Sequence, residues 1–434
     1  MSPDPMWMVP LPTAPAPAEL VPLTHIQLVY LTRHLLDPTD LTSHCLLTWV
    51  VDGWPDQTAL AAAVAAVHRR HEPLRAAYRA DPSPVAQVVD VDPPPLESVP
   101  DQPSVDAAIA ALRTLLAGEL LVEEGDVWRV AVVPAGSRTV IGCVVHHIAF
   151  DGCSEAVLAR DLATAYNAAV RGEDPAMTMA VPRTLADTHR RYQRRIAHSA
   201  LDQRRERDRA DLADVPALRW PKEPAPPDAG GPGVIEASLP AGVRAAVRER
   251  VTETGASRFT VLLAEYAAAF AEATGERDFT VGVPVAPRPD PDVDDAIGCH
   301  TAMTRVRLRG AALRGGVDGV RAVGRLVGAA RTTPDVHDLL SPAGGPLPPL
   351  FQTLFSLRDD APVALPLANL RTTFVRQPCL DLPLDLHTEV WSAGDGGLTL
   401  TVSFRPDTVA RSAAEVIARR YEERLCSGVP GRLS

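Results

Sequence analysis

At 434 residues the chain exceeds the size at which one hydrophobic core usually stops growing, so two domains or lobes are expected. A net charge of −11 supplies no global positive field for displacing counterions from nucleic acid, and 46% hydrophobic with 22% charged residues is the balance of a folded protein, not a disordered one. No apolar run reaches the roughly 18 residues that cross a bilayer, and no basic stretch followed by an apolar one opens the chain, so a cytoplasmic protein is expected.

Residues 1–19 are Pro-rich and are expected to form an extended tail. Thr24 to His34 carries apolar residues at helical spacing, His44 to Val51 (HCLLTWVV) has the look of a buried strand, and Asp56 to His71 reads as a helix with an acidic start and a basic end. A further helix is predicted over Val105 to Leu121. The runs VWRVAVV and TVIGCVV, joined by PAGSR, predict an antiparallel hairpin whose second strand delivers His146 and His147 at its end. A helix from Ser154 to Val170 should follow, with Ser154 as its cap and Glu155 near the positive end of its dipole.

Arg183 to Arg209 is polar and strongly basic, and WPKEPAPPDAGGPGV has the composition of a connection between halves. In the second half, helices are predicted at Ala241 to Glu253, Arg258 to Ala273 and Ala410 to Leu425. Strands are predicted at Asp278 to Val285, Met303 to Leu308, around Phe351 to Leu357, and at Leu398 to Phe404. Both halves mix helix and strand, which argues for an α/β or α+β chain of two similar lobes. The six cysteines are far apart, form no CxxC and lie mostly in apolar runs, as reduced and buried thiols would.

The chemistry centres on VIGCVVHHIAFDGCS, Val140 to Ser154. Neighbouring side chains of a strand point to opposite faces, so His146 and His147 should not enter one cavity together, and adjacent histidines with no third ligand nearby make a poor metal site. One imidazole facing a cleft would serve as a base or hydrogen-bond partner, since its ordinary pKa of about 6.5 leaves it able to accept a proton. Asp151 just past the strand would pair with a cation to fix the turn, and Gly152 would leave its amide approachable. The plain alternative is that both histidines are core or turn residues. A metal-dependent hydrolase is a further alternative, weakened by the missing ligands.

The HHxxxDG pattern at a strand end resembles the motif of the condensation domains of nonribosomal peptide synthetases, in the wider group similar to chloramphenicol acetyltransferase. LTHIQLVYL, with Gln27, resembles the opening of that family, and RHEPLRAAY resembles its second motif. TGASRFTVLLAEYAAAFAEATGERDFTVGVPVAPR, IGCHTAMTRVRL, PLFQTLFSL and DLPLDLHTEVWSAGDGGLTLTVSF resemble later segments, so the likeness runs from about Leu20 to Leu425.

The resemblance implies a V-shaped pseudo-dimer of two acetyltransferase-like lobes with a tunnel between them. These would be an N-terminal lobe at 20–175 carrying HHxxxDG, a connecting region at 176–235 and a C-terminal lobe at 236–434. It implies acyl transfer from a carrier-protein thioester on a phosphopantetheine arm to an amine, in secondary-metabolite biosynthesis, with no cofactor or metal bound by the protein itself. Ester formation with an alcohol is a variant. A non-catalytic carrier-recruiting module of the same fold is an alternative that the intact motif opposes.

His147 would be the base in the tunnel and Gly152 would offer its amide to the developing oxyanion. His146 and Asp151 would support the site, with Arg288 as the partner of Asp151. His25, Cys153, His300 and Ala302 would line the tunnel. Cys153 and the Ala302-Met303 pair depart from the residues usual in the family, which bears on acceptor choice. The chain holds one condensation-like unit with no adenylation or carrier signature, so it is expected to be free-standing and to meet an acyl or peptidyl carrier protein in trans. The basic stretch 183–209 is either a docking face for that acidic carrier or a solvated helix face.

Overall fold

Several helices begin where the sequence supplies a side chain for their unpaired amides. The protein is described here by a computed structural model covering residues 19–178, 183–197, 214–221, 231–285, 296–330, 351–358, 363–392 and 397–427. Strand β1 (Leu20–Pro22) leads into α1 (His25–Leu36), where Thr24 and Gln27 close a capping box: Thr24 Oγ1 accepts from the Gln27 amide, and Gln27 Oε1 accepts from the Thr24 amide at 3.0 Å. Strand β2 (His44–Asp52) precedes α2 (Gln57–Arg70), whose first turn is capped by Asp56 Oδ1 on the Ala59 amide at 2.9 Å. Strands β3 (Ala76–Arg79), β4 (Val85–Val88) and β5 (Leu96–Ser98) and helix α3 (Val105–Leu116) come next.

The hairpin of β6 (Trp128–Ala135) and β7 (Arg138–His146) turns at Gly136, whose φ of 62° is the left-handed value a tight turn needs. Helices α4 (Ser154–Val170) and α5 (Leu185–Ala197) end the first half.

The second half runs β8 (Gly233–Leu239), α6 (Gly242–Thr254), α7 (Arg258–Thr274), β9 (Asp278–Val285), β10 (Ala302–Arg309), α8 (Gly316–Ala330), β11 (Thr353–Arg358), β12 (Arg371–Phe374), β13 (Leu386–Ser392), β14 (Leu398–Phe404) and α9 (Arg411–Cys426). Its six-stranded sheet has the order β10-β9-β11-β13-β14-β8, and the first half has a five-stranded sheet of order β12-β2-β7-β6-β5 beside a small β1-β4-β3 sheet. Two hydrophobic cores follow. One surrounds Trp49, Tyr78, Trp128 and Phe150, and the other surrounds Tyr266, Phe270, Phe279, Phe355 and Tyr421.

The halves are not separate along the chain. Strand β12 pairs with β2 in the first sheet, with Phe374 opposite Trp49, and Val363, Leu365 and Leu367 bury into the first core. Trp49 Nε1 donates to the Val363 carbonyl at 2.8 Å. Residues 363–374 therefore sit in the first lobe although a linear division assigns them to the second, and β8 begins inside the expected connection. Helix α3 stops at Leu116, short of Leu121, just before Ala117 and Gly118. Among the described residues no helix is long and apolar enough to cross a membrane.

Candidate active site

Strand β7 is buried from Thr139 to its end, so its last residues are placed by the core on both sides of the sheet. Beyond it the backbone stays anchored: the His146 amide donates to the Val127 carbonyl at 2.8 Å and the His147 amide to the Ser43 carbonyl at 2.7 Å. The two rings then part company. His146 is 2% exposed, and its Nδ1 accepts from the Ile148 amide at 3.1 Å, which fixes the turn and the tautomer. His34 and His44 approach that ring edge-on at 5.7 and 6.1 Å. Burial, then the neighbouring His44, His34 and His147, hold its pKa well below the usual value.

His147 is half-buried and stacks on Tyr30 of α1, with ring centroids 4.6 Å apart and planes 14° from parallel. Its Nδ1 is buried and makes no hydrogen bond of good geometry among the described residues, which leaves Nε2 as the nitrogen an incoming group can reach. Burial lowers its pKa, and the backbone groups of His147 and Phe150 and the Asp151 carboxylate act in the opposite direction. The ring is therefore neutral at pH 7 and competent to accept a proton. Gln27 ties α1 to this turn, its Nε2 donating to the Ile148 carbonyl at 3.1 Å.

Asp151 is fully buried. Its Oδ1 accepts from the Ser154 amide at 2.9 Å and the Ser154 hydroxyl at 2.7 Å, and its Oδ2 accepts from the His300 amide at 3.1 Å. The carboxylate thus joins the start of α4 to the segment entering β10. Ser154 is not the helix cap: Cys153 occupies that position without a side-chain capping bond to the helix, and the Ser154 hydroxyl is held by Asp151 and by the Gly298 amide at 3.1 Å. Arg288, the expected partner of Asp151, lies outside the described residues.

Gly152 answers to a residue of the other lobe. A Cβ there would stand 2.7 Å from Nη1 of Arg358, at the end of β11. Arg358 Nη2 pairs with Glu155 of α4 at 2.5 Å, Arg376 reaches the same carboxylate at 3.6 Å, and Arg376 also pairs with Glu389 of β13 at 2.9 Å. Burial pushes the Glu389 carboxyl up, but Arg376, His387 and Arg358 together hold it below its usual value. Ser356 Oγ lies 2.8 Å from His387 Nε2 in the same group. Tyr30, Glu155, Arg358, Arg376 and Glu389 are the site residues that sequence reading missed. Tyr30 reads as one more apolar position of α1 and Glu155 as a charge at the positive end of α4, and nothing local marks the others.

The remaining expected residues are dispersed. His300 borders a cavity of about 110 Å³ together with Gln27, Tyr78, Tyr192 and Cys299, and Arg183 and Arg191 also line it. His25 is exposed, with Nδ1 3.3 Å from the Tyr192 hydroxyl, and Ala302 is buried at the start of β10. Cys153 and Cys379 are exposed, so the expectation of buried thiols holds for Cys143, Cys299 and Cys426 only, with Cys45 intermediate. The basic stretch is described as far as residue 197; there Arg190 pairs with Asp187 at 2.8 Å and with Glu19 at 3.4 Å. Among the described residues no group of three or more His, Cys, Asp or Glu could hold a metal ion.

The sequence and fold that carry this site are similar to those of known proteins. The chain is 29% identical over 441 residues to a probable non-canonical nonribosomal peptide synthetase, CymA, of Salinispora arenicola, across 94% of this chain but only 6% of that protein. It superposes on the X-domain from teicoplanin biosynthesis with a TM-score of 0.79 and 25% identity, over 96% of this chain and 97% of that one; that X-domain has also been solved in complex with OxyB. The first condensation domain of the calcium-dependent antibiotic synthetase, in complex with a substrate analogue, shares the fold at a TM-score of 0.75 and 20% identity, covering 96% and 98% of the two chains. With the Condensation domain profile matching residues 18–332 as well, this chain belongs to the condensation-domain family.

Proposed function

We propose that the chain transfers an acyl group from a carrier-borne thioester to an amine, forming an amide in the assembly of a nonribosomal peptide or related metabolite. The observation that carries this reading is the neutral, half-buried His147 imidazole, held against Tyr30 with Nε2 left to receive a proton. His147 takes the proton as the amine nitrogen attacks the thioester carbonyl. The C–N bond forms, the C–S bond breaks, and the carrier thiol leaves with a proton. Charge gathering on the carbonyl oxygen is met by the Gly152 amide and the adjacent Arg358 guanidinium. No nucleophilic side chain is needed, because the substrates bring their own, and much of the acceleration comes from holding two reactants together between the lobes. Carrier proteins acting in trans and a cytoplasmic setting belong to the same reading, with an alcohol acceptor giving an ester as its close variant.

A second reading, a recruiting module without turnover, is favoured by the likeness to the X-domain solved with OxyB. One experiment separates the two. The full chain is offered an acyl-carrier thioester with free amines, alcohols and aminoacyl carriers, and products are followed by mass spectrometry. An amide or ester formed only with enzyme supports transfer. An intact thioester with every acceptor, under conditions where the chain is folded, removes it.

A further inference from the structure

Arg358 and Leu357 are neighbours on β11 and point to opposite faces of its sheet, so while Arg358 reaches Gly152, Leu357 faces the helices of the second lobe. On that helical side it borders a groove of about 620 Å³ lined by Arg244, Arg248, Val251, Ser257, Arg258, Phe259 and Leu357. The volume is that of a small-molecule site. Arg244, Arg248 and Val251 stand at i, i+4 and i+7 on α6, so the helix turns one face with two guanidinium groups and an apolar residue into the groove. Arg258 stands at the start of α7 on the same groove, and among the described lining residues none is a carboxylate.

The state of the two α6 arginines is unusual in a chain of net charge −11. Arg244 Nη2 donates to Ser392 Oγ at 2.8 Å, which orients the guanidinium, yet its Nε is buried with no acceptor. A buried donor left unpaired is costly, so this guanidinium is under-satisfied where it stands. Arg248 makes no side-chain hydrogen bond or ion pair among the described residues, whereas Arg250 on the same helix pairs with Glu253 at 3.5 Å. Like charges one turn apart repel, and a shared anion removes that repulsion. Converging guanidinium groups suit a phosphate dianion, while Phe259, Val251 and Leu357 supply an apolar floor for an organic substituent.

We propose that this groove binds a phosphate monoester, with Arg244 and Arg248 holding the phosphate and Phe259 and Leu357 receiving the organic part. The inference stands apart from the acyl-transfer reading, since the groove lies on the other face of the β11 sheet from Gly152. The test is calorimetric titration of the full chain with phenyl phosphate, with inorganic phosphate and phenol in parallel. Phenyl phosphate is expected to bind tighter than inorganic phosphate, and phenol not at all. Arg248→Ala removes a side chain that supports no neighbour and should weaken phenyl phosphate at least about tenfold, as the loss of one charge-assisted contact does. Arg244→Gln should act in the same direction, while His147→Ala should bind as the parent does. Binding unchanged in both arginine variants, no binding up to millimolar phenyl phosphate, or a preference for phenol would each overturn the proposal.

Discussion

Replacing Asp151 by alanine should unfold the protein more readily before it changes the chemistry. The carboxylate is fully buried and accepts from the Ser154 amide, the Ser154 hydroxyl and the His300 amide. In Asp151→Ala the Ser154 hydroxyl can turn to the Gly298 carbonyl, 3.1 Å away, and the Ser154 amide keeps the main-chain carbonyl of residue 151 at 3.0 Å, so the His300 amide is the buried donor that loses its carboxylate. At about 1–3 kcal/mol for a buried donor deprived of its acceptor, the loss is about 1–3 kcal/mol. An unfolding entropy of about 2.1 cal/mol/K per residue gives the 434-residue chain about 0.9 kcal/mol/K, so its Tm should fall by about 1–3 °C if it unfolds as one unit. The fall should be roughly twice that if the first lobe unfolds alone. Asp151→Asn keeps an acceptor for Ser154 and loses the one for His300, so it should lie between. Differential scanning calorimetry reads all three proteins. A melting curve for Asp151→Ala that coincides with the parent's would refute the reasoning that the carboxylate fastens α4 to the β10 segment.

Two further outcomes follow from the same packing. Asp161 accepts from Arg70, His71 and Arg160, each at 2.9 Å; burial pushes its carboxyl up, but the His71 and Arg160 hydrogen bonds prevail and hold it at about 2. A carboxyl depressed below its unfolded value stabilises above about pH 4 and loses that contribution as pH falls towards 2, an effect of about 2 kcal/mol. Urea unfolding at pH 6, 4 and 3 should show that loss, and Asp161→Asn should flatten it; an equal acid loss in the variant would contradict the assignment. Gly152→Ala places a Cβ against the mobile end of Arg358, so its melting curve should stay near the parent's while turnover falls about tenfold or more. A loss of fold without a fall in specific activity would show that the guanidinium has no part in transfer.

What the sequence made legible was local. The helix following Thr24, the Asp56 start of the next one, the turn around Gly136 and the run ending in His146 and His147 are all written in contiguous residues, and the structure places them there. What escaped depends on distance along the chain or on packing that outweighs propensity. Strand β12 pairs with β2 across more than half the chain, and Arg358 meets Glu155 through the contact of two lobes, which no window of sequence records. Helix α8, GVDGVRAVGRLVGAA, carries glycines that argue against a helix, yet its buried Val320, Val323 and Val327 face the second core and hold it. Tyr30 reads correctly as an inward-facing helix residue, but its partner is the imidazole of His147, which only the fold brings over it.

The most direct test of the acyl-transfer account is a single-turnover measurement with an acyl-carrier thioester and the best acceptor, comparing the parent with His147→Ala of unchanged melting temperature. Loss of the base should slow product formation by about 10²–10⁴-fold. A folded His147→Ala protein that forms product at the parent's rate would show that this imidazole accepts no proton, and the account would fall.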